Sequence, residues 1–121
     1  VVSTGPLRVG TDIVEVARVA RLVEVVGQPF LDSAWTSAEQ AACAGRAESL
    51  AARWAAKEAA LKALGAGIDE VPLPEIEVVA GPELVLHGTA AERAAAIGLT
   101  RWAVSLSHDG GLALAFVVAV G

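Results

Sequence analysis

The stretch that most constrains this chain is Ser49-Leu-Ala-Ala-Arg53-Trp54-Ala-Ala-Lys57-Glu58-Ala-Ala-Leu61-Lys62-Ala-Leu64-Gly65. Alanine, leucine, lysine and glutamate are strong helix formers, and glycine readily takes the left-handed conformation that ends a helix, so the pattern predicts one helix over 49–64 closed by Gly65. At ~100° per residue, Leu50, Trp54, Leu61 and Leu64 form an apolar stripe. Glu58 and Lys62 lie along one edge of it, Arg53 and Lys57 along the other. The charges are therefore expected to rim a buried face. A Glu58–Lys62 pair at (i, i+4) on a solvated surface also accounts for that spacing.

The remaining segments have to cover this helix. Leu7-Arg-Val-Gly-Thr-Asp12-Ile-Val alternates as a strand, and the period then changes to a helix that places Val14, Ala17, Leu22 and Val25 on one face. Asp12 falls at that junction, where an aspartate ordinarily caps the helix. Gly27-Gln28-Pro29 ends the helix, and Thr36-Ser-Ala-Glu39 has the spacing of a capping box opening a second one toward Ala47. The 49–64 helix is third. Glu75 to Val79 and Leu84 to His87 are short strands joined by a turn at Gly81-Pro82. Thr89-Ala-Ala-Glu92 again has capping-box spacing, before a helix ending at Gly98. Trp102 to His108 and Leu112 to Val120 form a hairpin turning at Asp109-Gly110-Gly111, with Ser107-His108-Asp109 at its tip. The order β-α-α-α-β-β-α-β-β predicts one α+β domain over residues 1–121, with an antiparallel sheet packed on a central helix.

Composition narrows what such a domain can do. A net charge of −5 argues against nucleic-acid binding, which needs a basic face. A single cysteine, Cys43, excludes an internal disulfide and fits a reducing, cytoplasmic setting, with the thiol as plain packing. No apolar run is long enough for a membrane span. A hydrophobic content of 55% in so short a chain predicts apolar surface that meets another subunit.

Three polar clusters stand out: Asp12; Arg53, Lys57, Glu58 and Lys62; and Ser107, His108 and Asp109. One cysteine and two separated histidines are a poor zinc set. Adjacent Ser, His and Asp on a strand end cannot fold into a hydrolase triad. No Walker loop or dinucleotide fingerprint is present. Two carboxylates with cationic side chains suit a hard ion such as Mg²⁺ shared with substrate phosphates, and Asp12 and Glu58 are the pair available.

Val9-Gly-Thr-Asp12-Ile-Val-Glu15-Val-Ala-Arg18, Ala52-Arg-Trp-Ala-Ala-Lys57-Glu58-Ala-Ala-Leu-Lys62-Ala-Leu-Gly65 and Ser105-Leu-Ser-His108-Asp109 resemble the three signature segments of 4′-phosphopantetheinyl transferases of the holo-acyl-carrier-protein synthase type. Trp35 and Trp54 stand where that family commonly has phenylalanine, Thr11 where it commonly has isoleucine, and Gly81-Pro82-Glu83 where it commonly has a basic residue. The resemblance implies Mg²⁺-dependent transfer of phosphopantetheine from coenzyme A to a serine of an apo acyl or peptidyl carrier protein, releasing 3′,5′-ADP, in fatty-acid or polyketide synthesis. It implies a homotrimer with active sites between subunits. By position it implies Asp12 and Glu58 as metal ligands; Glu58, Lys62, His108 and Asp109 as catalytic; and Arg53, Lys57, Gly65, Ser107 and His108 around the coenzyme. Arg18, Arg21 and Leu22 on the first helix are the expected carrier contact. A non-catalytic module binding coenzyme A or a carrier would keep the same fold.

Overall fold

The computed structural model describes residues 5–121. Strand β1 (Leu7–Glu15) leads into helices α1 (Val16–Val26), α2 (Gln28–Ala34), α3 (Ser37–Cys43) and α4 (Ala47–Leu64). A 3-10 turn at Leu73–Glu75 precedes β2 (Ile76–Val79) and β3 (Glu83–Leu86), followed by α5 (Gly88–Ile97), β4 (Arg101–Asp109) and β5 (Leu112–Val120). β1, β5 and β4 form an antiparallel sheet in that order; β2 and β3 form a separate antiparallel pair. The fold is the expected α+β class, with the sheet on the central helix. One short helix is additional: α2 occupies 28–34, where Gly27-Gln28-Pro29 reads in sequence only as the end of α1. Pro29 sits in its first turn, where the missing N–H costs nothing.

Helix α4 is covered on nearly every side. Besides Leu50, Leu61 and Leu64, it buries Ala51, Ala52, Ala55, Ala56, Ala59, Ala60 and Ala63. The inner face of β5 answers with Ala113, Ala115, Val117 and Ala119, all fully buried. Small residues on both surfaces let sheet and helix come close, and the closest point is Gly10 on β1. A Cβ at Gly10 would stand 1.8 Å from the carbonyl oxygen of Ala59, well inside van der Waals contact. Gly10→Ala should therefore push β1 off α4 and lower stability by about 3 kcal/mol, the upper part of the usual overpacking range. Urea denaturation measures this, and a variant as stable as the parent would show that the strand can shift freely.

Two local readings of the sequence are corrected. Asp12 does not cap a helix. It lies inside β1 opposite Ala115, and α1 begins four residues later with Glu15 at its N-cap and no side-chain capping bond. Strand pairing to β5 runs through Glu15, so the ladder outcompetes the cap. The box at Thr36 forms as expected, with Thr36 and Glu39 exchanging hydrogen bonds, whereas the one at Thr89 does not. The Thr89 hydroxyl donates to Glu75 Oε2, which also accepts from the Ala90 N–H, so a carboxylate from another segment takes over the capping role.

The largest difference is Lys57. It does not rim the buried face: it is fully buried, donating from Nζ to Glu39 Oε1 (2.6 Å) and to the carbonyls of Leu73 (3.1 Å) and Ile76 (2.6 Å). Glu39 also accepts from the Thr36 and Val78 N–H groups. The pair joins α3, α4, the 3-10 turn and β2 at a point away from solvent, so Lys57 has no free donor to offer coenzyme A.

Candidate active site

Two adjacent structural facts place a pair of carboxylates together. On β1, alternation turns Gly10, Asp12 and Val14 toward α4, and the close approach at Gly10 brings Asp12 to the middle of the helix. On α4, Glu58 and Lys62 are one turn apart on the side facing β1. Lys62 Nζ donates to the Thr11 carbonyl at 2.7 Å and lies 3.4 Å from Asp12 Oδ1. Asp12 and Glu58 line one cavity of 380 Å³, together with Glu15, Arg18 and Trp54.

The electrostatics of that cavity are those of a place short of positive charge. Burial, and then the neighbouring charge of Asp12, push the Glu58 carboxyl above its ordinary range. The hydrogen bond from Trp54 and the charges of Lys62 and Arg18 pull it back in part. Two half-buried carboxylates that destabilise one another, with oxygen as the only donor atom, are suited to a small hard cation. Among the described residues no cluster of three or more potential ligands exists, and Mg²⁺ does not need one: it is commonly held by one or two carboxylates, with waters and substrate phosphates completing the shell.

A second cavity, of 700 Å³, lies at the start of α4 and carries more cationic side chains. Arg46, Arg53, Ser107 and His108 line it, with Glu48. The Nε atom of Arg53 is buried with no hydrogen-bond partner among the described residues. His108 Nδ1 stands 3.3 Å from Glu48 Oε2. Ser107 and His108 reach this place because β4 extends to the tip of the hairpin, alongside the start of α4.

The structure therefore sorts the sequence-predicted residues into two groups. Asp12 and Glu58 come together at the first cavity, with Arg18 on its wall and Lys62 beside Asp12. Arg53, Ser107 and His108 come together at the second. Asp109 lies beyond them at the exposed hairpin tip, beside Gly110 and Gly111. Gly65 ends α4 in the left-handed conformation (φ 65°), past Lys62, its carbonyl accepting from Arg93 Nη2 at 2.9 Å. Arg21 is exposed on α1 and Leu22 half-buried. Lys57 belongs to neither cavity. Sequence reasoning missed Arg46, whose position just before α4 carries no motif, and the contact of Trp54 with Glu58, although their (i, i+4) spacing was a signal for it.

Comparison with known proteins fits this geometry. Residues 8–117 match the model of the 4′-phosphopantetheinyl transferase superfamily. The holo-[acyl-carrier-protein] synthase of Herpetosiphon aurantiacus is 47% identical over 123 residues, covering 93% of this chain and 97% of the relative. That of Chloroflexus aurantiacus is 49% identical over 130 residues, covering 91% and 95%. Among solved structures, Helicobacter pylori holo-[acyl-carrier-protein] synthase in complex with coenzyme A superposes with a TM-score of 0.79 at 30% identity, over 93% of this chain and 99% of that one. The match spans both cavities and all three signature segments, and the chain belongs to the 4′-phosphopantetheinyl transferase superfamily, as an enzyme of the holo-acyl-carrier-protein synthase type.

Proposed function

We propose that this chain, working over residues 1–121 as one cytoplasmic domain, transfers the 4′-phosphopantetheine of coenzyme A to a serine hydroxyl of an apo acyl carrier protein in a Mg²⁺-dependent reaction that releases 3′,5′-ADP. The observation that carries this reading is the convergence of Asp12 and Glu58 on one cavity from two elements far apart in sequence, with Lys62 Nζ 3.4 Å from Asp12. Asp12 and Glu58 would hold the ion, which when bound would supply Lewis-acid stabilisation of phosphate charge. Lys62 leaves the Thr11 carbonyl to place its ammonium on the reacting phosphate, where charge develops on the bridging oxygen as the serine oxygen bonds to phosphorus. The bond from that phosphorus to the bridging oxygen of 3′,5′-ADP breaks, and the serine proton passes to water. Arg46, Arg53, Ser107 and His108 bind the remaining phosphate charge. Arg18 and Arg21, exposed on α1 beside the carboxylates, face the carrier.

The two cavities share no lining residue, and an assembly of copies would bring one of each together. The outer face of the sheet supports that arrangement: Leu7, Val9 and Ile13 of β1 and Leu112, Leu114 and Phe116 of β5 are exposed side by side, Leu7 at 66% and Phe116 at 48%. An apolar sheet face of this kind normally marks an interface. In a homotrimer it would be covered, and the carboxylate cavity of one subunit would meet the arginine and histidine cavity of the next.

Mass spectrometry of an apo carrier protein incubated with coenzyme A and Mg²⁺ tests the reaction, with a phosphopantetheine mass gain at a serine expected. Coenzyme binding without that gain would identify a binding module instead. The same assay on mixed chains tests the assembly: Glu58→Gln and His108→Ala subunits, each impaired alone, should recover activity together, because some sites then combine an intact half from each. A monomer with full activity would contradict the shared site.

A further inference from the structure

Trp54 touches a carboxylate of the site, and its surroundings pack closely around it. It lies one turn before Glu58 on α4, and its indole N–H donates to Glu58 Oε1 at 3.1 Å. The ring packs against Phe30, with centroids 5.3 Å apart and planes at 33°, and against Trp35, at 5.5 Å and 60°. Trp35 is itself immobile: it is 1% exposed, and its own indole N–H donates to the Leu50 carbonyl at 3.2 Å. Phe30 comes from α2. The cluster thus ties α2, the segment before α3 and α4 to a single donor aimed at the site.

A glutamate on a helix has three rotatable side-chain bonds, and a carboxylate left free to turn presents its oxygens to an ion only part of the time. An N–H fixed in a packed cluster and bonded to one oxygen removes that freedom, leaving the other oxygen for the ion. Partners of this kind, which touch the ligand rather than the metal, typically change metal affinity 10- to 100-fold when removed.

We propose that Trp54 is a positioning residue for the metal carboxylate Glu58, its indole N–H fixing one carboxylate oxygen so that the other is presented with Asp12 to a divalent cation. This rests on the reading of Asp12 and Glu58 as the ligand pair. Trp54 acts through Glu58, to which its indole N–H is bonded, and is not itself a ligand.

The test is direct Mn²⁺ binding to the full chain, followed by the electron paramagnetic resonance signal of free Mn²⁺, with no substrate present. Trp54→Phe keeps an aromatic ring in the cluster and removes the N–H. Replacement of Trp54 by 3-benzothienylalanine, in which sulfur stands in place of the N–H, keeps the full bicyclic shape and guards against a packing effect. Both should bind Mn²⁺ about tenfold more weakly than the parent, the benzothienyl protein with an unchanged melting temperature. Parent-like affinity in the benzothienyl protein, with binding lost in Glu58→Gln, would overturn the positioning role alone. Parent-like affinity in Glu58→Gln as well would overturn the ligand assignment and the proposal with it.

Discussion

Glu58→Gln should lower turnover by on the order of 10³-fold while leaving the metal-free protein at least as stable as its parent at neutral pH. The activity loss follows from charge. One of two carboxylates is neutralised, and a metal site contributes several kcal/mol of charge stabilisation to the transition state, with each 1.36 kcal/mol worth a factor of ten. The stability effect follows from the raised Glu58 pKa. Between the ordinary carboxyl value of 4.5 and the higher folded value, the native state keeps a proton that the unfolded chain has released. The stability of the metal-free protein therefore falls as pH rises through that window and stays lower above it. Glutamine keeps the shape and still accepts from Trp54, but removes both the desolvated charge and its repulsion with Asp12. Melting curves from pH 4 to 8 in chelator should show Glu58→Gln gaining on its parent as pH rises, because only the Glu58 contribution differs between them, and added Mg²⁺ should raise the parent's melting temperature only. Parent-like turnover at low Mg²⁺ would remove Glu58 from the site.

Lys57→Met should be the most destabilising single change in α4, by about 3–5 kcal/mol, without altering the coenzyme affinity of the protein that remains folded. The magnitude comes from what is left behind. Methionine fills the space of the lysine stem, but the Glu39 carboxylate stays buried with its cation gone, and the Leu73 and Ile76 carbonyls lose their donor. Burial holds the Lys57 pKa below its ordinary value, and the Glu39 charge and hydrogen bond offset that only in part. The pair persists because each partner needs the other. Lys57→Met with Glu39→Gln should recover part of the loss, since the uncompensated buried charge is gone, although the single amide oxygen accepts from only one of the Thr36 and Val78 N–H groups, which Glu39 serves with different oxygens. Urea denaturation measures the loss, and coenzyme titration separates the two roles. Weaker binding of coenzyme with stability intact would return Lys57 to the site.

The sequence by itself determined the elements whose causes are local. The hairpin of β4 and β5 follows from alternation and Asp109-Gly110-Gly111; α4 follows from its helix formers and ends at Gly65; the box at Thr36 needs only Glu39, three residues on. Asp12, Glu58 and Lys62 were legible as an oxygen-rich group with a cation, and the three signature segments made the family legible. What the tertiary structure decided were matters of long-range competition. Lys57 and Lys62 look alike along the helix, five residues apart, yet one is sealed against Glu39 and the other stands at Asp12, because β2 and α3 cover only one side of α4. Thr89 has the spacing of a cap, but Glu75 supplies a better acceptor from another segment. Asp12 sits where a cap belongs, but pairing with β5 carries the strand past it. Gly10 shows no special role in sequence, since its reason lies on another element, in the carbonyl of Ala59. Short-range periodicity and turn chemistry are set by neighbours in the chain, whereas burial and pairing depend on which distant segments fill the space around a side chain.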